Sequence, residues 1–150
     1  MAGEALFGLD PGYPAQLKQL AQTLGIADKV RFVGGGHEVS DLISALDVAV
    51  QLPELPESFG MAVVEGMANG TAVVAVDSGA VREIVESGVT ALLVPPGDDE
   101  VLATALLTLH DDPERRRSVA AAGAKAARAR FDVRKTTRRV EQIYRDVLAR

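Results

Sequence analysis

Glu57 and Glu65 stand eight residues apart and bracket Ser58-Phe59-Gly60-Met61, in a chain that otherwise offers little reactive chemistry. Cysteine is absent, so thiolate nucleophiles, disulfides and thiolate metal sites are excluded together, and two distant histidines leave little for a zinc site. Carboxylates, hydroxyls and backbone groups remain. Along a helix the spacing of the two acids corresponds to about 12 Å at ~1.5 Å per residue, similar to the length of a diphosphate joined to a ribose. The amides between them would be free N–H groups at the positive end of a helix dipole, which is how proteins hold phosphates without a metal. Gly60 lets the backbone approach such a ligand closely. Glu65 interrupts an apolar run of Phe59, Met61, Ala62, Val63, Val64, Met67 and Ala68. A buried carboxylate needs a firm donor or a cleft to face, and a ribose diol supplies two hydroxyl donors. A plainer reading stands beside this one: Glu57 as a first-turn acid favouring the dipole and Glu65 as a surface residue.

The elements that must position these residues follow from the pattern. Ala5–Leu9, Val30–Val33, Asp47–Leu52, Thr71–Val76 and Ala91–Val94 read as short apolar strands. Between them lie helical stretches: one after Pro14 carrying Leu17, Leu20, Ala21 and Leu24, one from Ser40-Asp41 carrying Leu42, Ile43 and Leu46, then Phe59–Ala68 and Gly79–Glu86. Alternating strands and helices imply a parallel sheet of about five strands with helices on both faces, a Rossmann-like three-layer α/β/α fold. Ligands in such folds sit beyond the carboxyl ends of the strands. Three further helices are expected, Asp98–Leu109, Pro113–Arg130 and Val133–Leu148. The last places Val133, Val140, Ile143, Tyr144, Val147 and Leu148 on one seam that needs a packing partner.

With 150 residues, 47% of them hydrophobic, the chain has material for one core of ordinary size. A single domain is expected, with residues 1–112 as the α/β core and 113–150 as C-terminal helices. No apolar run approaches a membrane span and the first residues lack a signal-peptide pattern, so a cytoplasmic location is expected. The net charge of −5 is uneven: residues 113–150 hold 12 Lys/Arg against 4 Asp/Glu, and the preceding 112 hold 4 against 17. A basic tail is first of all a solvated face, and peripheral contact with an anionic membrane is its functional alternative. Only Phe131 and Tyr144 accompany those cations, which argues against stacking on nucleic-acid bases. Neither a G-x-G-x-x-G after the first strand nor a P-loop is present, which disfavours a dinucleotide oxidoreductase or an NTPase.

The segment from Pro56 to Gly70, PESFGMAVVEGMANG, resembles the E-x7-E signature of the C-terminal, nucleotide-sugar-binding domain of family 4 (group 1) GT-B retaining glycosyltransferases. Four flanking blocks are similar to that family in order and spacing: Leu24–Gly34, Ala45–Val50, Arg82–Val85 and Leu93–Asp98. The resemblance covers nearly the whole chain. It implies retaining transfer of a sugar from a nucleotide-diphosphate donor, with no cofactor and no obligatory metal. Mapped by motif, it implies that Glu57, the catalytic candidate, contacts hydroxyls of the donor sugar, that Ser58, Phe59, Gly60 and Met61 hold the diphosphate, and that Glu65 accepts from the ribose hydroxyls. Val33 and Gly34 would border the base pocket. The family's N-terminal acceptor-binding domain, with an Arg and a Lys near the diphosphate, is not in this sequence, so an incomplete active site is expected unless another chain supplies that half. Ala80 stands where the family usually has a second glycine after Gly79.

Two further residues are candidates. Arg82 would offer a positive charge near the diphosphate, or it is a surface arginine, and His37 would touch a ligand, or it is a loop residue. The alternative to a donor-binding domain is a non-catalytic Rossmann-like interaction module whose basic C-terminal helices bind a protein or membrane surface.

Overall fold

The computed structural model describes residues 12–34, 38–53 and 58–149. The expected strand Ala5–Leu9, His37 and Glu57 therefore lie outside the described residues. The chain divides into two compact units, residues 1–38 and 39–150.

In the first unit, helix α1 spans Tyr13–Thr23 with proline in its first turn, where the missing N–H costs nothing. Gly25 ends it in the left-handed region at φ 67°, and the Ile26 amide reaches back to the Ala21 carbonyl at 3.0 Å. This is the glycine-dependent helix ending that the sequence predicts. On the expected apolar face Ala21 is buried, whereas Leu20 and Leu24 are exposed. The expected strand Val30–Val33 is reduced to a single bridge at Val33, because a strand needs a run of ladder pairings and only this residue has one.

The second unit carries a three-stranded parallel sheet in the order β1-β2-β3, with β1 at Val48–Gln51, β2 at Ala72–Val76 and β3 at Leu92–Val94. Val50 pairs with Val74, and Val74 in turn with Leu92, which puts β2 in the centre. Every residue of β2 is buried, as a β-branched run without polar alternation predicts for a strand covered on both faces. Val73 and Ala75 pack with Val63, Val64 and Met67 of helix α3 (Met61–Ala68) and with Ala127 of helix α6 (Pro113–Arg130). Ala72, Val74 and Val76 face the other way, onto Leu102, Ala105, Leu106 and Leu109 of helix α5 (Asp99–Asp111). The domain is thus Rossmann-like, with helices on both faces of a parallel sheet. Among the described residues it has three strands rather than about five, for the two reasons already given. Helix α2 (Val39–Ser44) is tied to the sheet's neighbourhood by the buried Thr71 hydroxyl, which donates to the Ile43 carbonyl at 3.1 Å.

The C-terminal helices start where acidic caps predict. Asp98, Asp112 and Asp132 each accept a first-turn amide, from Val101, Arg115 and Arg134, all at 2.9 Å. Helix α7 (Val133–Leu148) has no buried residue. Its seam lies open, with Val133 at 72% and Leu148 at 86% exposure. Arginines of α6 are not simply a solvated face: Arg128 donates to the Ala68 carbonyl at 3.3 Å, and Arg130 to those of Ile84 and Glu83 at 3.1 and 2.7 Å. They satisfy the orphan carbonyls, and offset the negative dipole ends, of α3 and of helix α4 (Val81–Ile84).

Candidate functional site

The E-x7-E segment follows the carboxyl end of β1. Its helix starts two residues later than expected, because Gly60 adopts φ 91° and ψ 46° and forms the N-cap. A left-handed residue cannot continue a right-handed helix, and only glycine takes that conformation without a steric cost. Ser58 and Phe59 are bends outside the helix. The Gly60 carbonyl accepts from Val63 and Val64 at 3.1 and 3.2 Å, which leaves the Met61 and Ala62 amides as first-turn donors with no backbone acceptor among the described residues.

Burial sorts the helix into two faces. Val63, Val64, Gly66 and Met67 are buried, while Met61 and Ala62 are exposed and Glu65 and Asn69 half-buried. Met67 fills the core, whereas Met61 is 56% exposed. Glu65 lies about 6 Å along the axis from Met61 on the same open stripe. Its carboxylate has no hydrogen-bond or ion-pair partner among the described residues. Its backbone carbonyl, by contrast, accepts both the amide and the side chain of Asn69, at 3.0 and 2.9 Å. Asn69 in turn accepts from the Ser44 hydroxyl at 3.3 Å, so the end of the stripe is fixed to α2. Gly66 is the reason α3 lies close to the sheet: a Cβ there would come within 2.8 Å of Val73 Cγ2.

The other candidates divide. Ser58, Phe59, Gly60 and Met61 lead into and open α3, and Glu65 lies one turn further along it. Val33, half-buried, and Gly34, exposed, belong to the first unit. Arg82 opens α4 just past the carboxyl end of β2, but its charge is already engaged. Its Nε donates to Asp77 Oδ1 at 2.6 Å and its Nη2 to the Asp77 carbonyl at 3.1 Å. Asp77 was not singled out from the sequence, although an acid directly after a buried β-branched strand sits at the sheet's carboxyl edge. Gly79 takes the left-handed φ of 56°, and Ala80 has an ordinary helical φ of −72° that accommodates its Cβ. The alanine substitution at that turn is therefore free of backbone strain. Between the strand ends and the start of α5, a cavity of about 440 Å³ is lined by Leu52, Pro53, Val76, Val94, Pro95 and Leu102 among others. The carboxyl edge is thus concave, as doubly wound folds require of a ligand-binding edge.

Phe131, at the junction of α6 and α7, is a second residue that sequence reasoning did not attach to the site. Its ring meets that of Phe59 edge to face, with centroids 5.9 Å apart and planes at 88°.

Comparison with known proteins agrees with the motif. The profile of the family described as glycosyl transferases group 1 matches residues 1–126. A D-inositol 3-phosphate glycosyltransferase from Saccharomonospora viridis is 40% identical over 138 residues, 91% of this chain and 32% of the relative. A lipopolysaccharide core biosynthesis mannosyltransferase from Rhizobium meliloti is 31% identical over 150 residues, 99% of this chain and 42% of the relative. Among solved structures, Anabaena HepE in complex with UDP-glucose superposes with a TM-score of 0.91 at 32% identity, over 97% of this chain and 40% of that one. Sucrose-phosphate synthase from Thermosynechococcus elongatus gives 0.84 at 30% identity, over 93% and 37%. The chain spans between about a third and two fifths of the relatives and structures named here.

Proposed function

We infer the function from one premise: the chain belongs to the glycosyl transferase group 1 family. We propose that it is the donor-binding half of a retaining glycosyltransferase and binds a nucleotide-diphosphate sugar on the E-x7-E segment. In this reading Ser58 to Met61 and the Ala62 amide hold the diphosphate, Glu65 accepts from the ribose hydroxyls, and Glu57 contacts the sugar. The observation that carries the proposal is the start of α3. A left-handed Gly60 opens a helix whose first amides lack acceptors, and an unpartnered carboxylate follows one turn later on the same open stripe. Donors fixed in advance towards a phosphate need no reorganisation when charge develops on the leaving diphosphate, so positioning and electrostatics do most of the catalytic work. The UDP-glucose bound in the Anabaena neighbour is consistent in chemistry with such a donor.

These 150 residues match between about a third and two fifths of the length of the relatives. In this reading they bind nucleotide by themselves but transfer sugar weakly or not at all, and the open α7 seam offers a place for an acceptor-binding chain to dock. Calorimetry with UDP, GDP, ADP and their sugar conjugates tests the site. At least one should bind, and Glu65→Ala should weaken it; a panel with no binding, or binding indifferent to Glu65, defeats the assignment. Solution mass combined with a transfer assay tests the incompleteness, since a monomer that transfers efficiently would contradict it.

A further inference from the structure

We propose that Phe131 is a positioning residue for the donor-binding turn, holding Phe59 and through it the amides at the start of α3; this rests on the donor-site reading above. The Gly60 carbonyl ties the turn to the helix by accepting from Val63 and Val64, but the amides of residues 58–60 donate no hydrogen bond to described residues, so side-chain contact contributes to the place of Ser58 and Phe59. Phe59 is 43% exposed, and its edge-to-face contact with Phe131 is its one aromatic partner among the described residues.

Phe131 is itself anchored from several sides. Its amide closes α6 on the Ala127 carbonyl at 2.8 Å, and its ring packs against the core cluster that contains Val64 and Ala127. The Arg130 guanidinium lies over the ring, 5.1 Å from its centroid, while donating to the last carbonyls of α4. An edge-to-face pair has a preferred geometry that an aliphatic contact lacks. The ring of Phe131 can therefore fix where Phe59 sits, and Phe59 directly precedes the left-handed Gly60 that aims the Met61 and Ala62 amides. Without the anchor, the turn must be ordered when ligand binds, and the ordering cost appears as lost affinity.

The test is a double-mutant cycle on the full chain, read by calorimetry with whichever of UDP, GDP or ADP binds tightest. Phe131→Leu keeps apolar volume and should weaken binding by about 2- to 12-fold, the factor an edge-to-face pair contributes. Phe131→Tyr, which keeps the ring, should restore affinity. In a Phe59→Leu background the Phe131→Leu change should have no further effect, because the pathway through Phe59 is already cut. Backbone order parameters of Gly60, Met61 and Ala62 should fall in Phe131→Leu without ligand, whereas general destabilisation of a chain that stays folded would leave them unchanged. Unchanged affinity in folded Phe131→Leu, or full additivity with Phe59→Leu, overturns the proposal while a Glu65→Ala loss leaves the donor site standing. If no nucleotide binds the parent chain, both fall together.

Discussion

Gly123 in the middle of α6 offers a stringent check on how α3 is held. Alanine is favoured over glycine in a helix by about 1 kcal/mol, so local propensity alone predicts that Gly123→Ala stabilises the protein. Packing predicts the reverse. A Cβ at this position would lie 2.7 Å from the Thr90 carbonyl oxygen and 3.4 Å from Met67 Cγ. Ordinary carbon–oxygen contacts begin near 3.3 Å, so helix and loop must separate by roughly 0.6 Å. The loop resists, because the Thr90 amide bonds the Glu86 carbonyl at 2.9 Å and its hydroxyl accepts the Glu86 amide at 2.9 Å. The helix resists too, since Ala124 and Ala127 on the same face are buried at 8% and 2% exposure. Overpacking of a tight core costs about 1–3 kcal/mol, and a tied backbone carbonyl places this site near the upper end. Subtracting the propensity gain leaves a net loss of about 2 kcal/mol, or roughly 4–8 °C in Tm for a chain of this size. Urea unfolding with an unchanged m-value would measure it, with Ala121→Gly at an exposed position of α6 calibrating the propensity term. A Gly123→Ala protein as stable as the parent, while Ala121→Gly loses stability, would show that the contact yields freely and that α6 does not fix α3 by close approach.

Other outcomes follow from the same geometry. Gly60→Ala forces an L side chain into the left-handed region and should cost roughly 1–2 kcal/mol in urea unfolding, together with a loss of nucleotide affinity; no change in either would mean the turn is not needed. Leu109→Ala removes a fully buried side chain on the α5 face and should cost about 2–5 kcal/mol by thermal unfolding. Asp132→Ala deletes the α7 cap and should cost about 1 kcal/mol of helix stability, seen as faster hydrogen exchange of the Arg134 amide. If backbone amides hold the diphosphate, nucleotide affinity measured by calorimetry should be the same with and without EDTA; abolition by the chelator would contradict that mode of binding.

Much of the fold was written in local chemistry. Each helix boundary set by a cap or a glycine came out near its expected place: α6 and α7 coincide with expectation because Asp112-Pro113 and Asp132 are local start signals. The all-apolar β2 announced a strand covered on both sides. The E-x7-E spacing identified the candidate helix and the acid on its open stripe. By contrast, Val30–Val33 has strand composition but one bridge, because pairing depends on a neighbour that composition does not specify.

The sequence by itself determined the family and the boundaries of helices such as α6 and α7, since helix caps, glycine turns and residue spacing act within a few residues. Only the tertiary structure decided that Arg82 is engaged by Asp77, that Arg128 and Arg130 close the ends of α3 and α4, and that Phe131 meets Phe59. Such contacts join residues far apart in the chain. Side-chain type says that an arginine or an aromatic ring will seek a partner, but the packing of α6 against α3 determines which partner lies within reach.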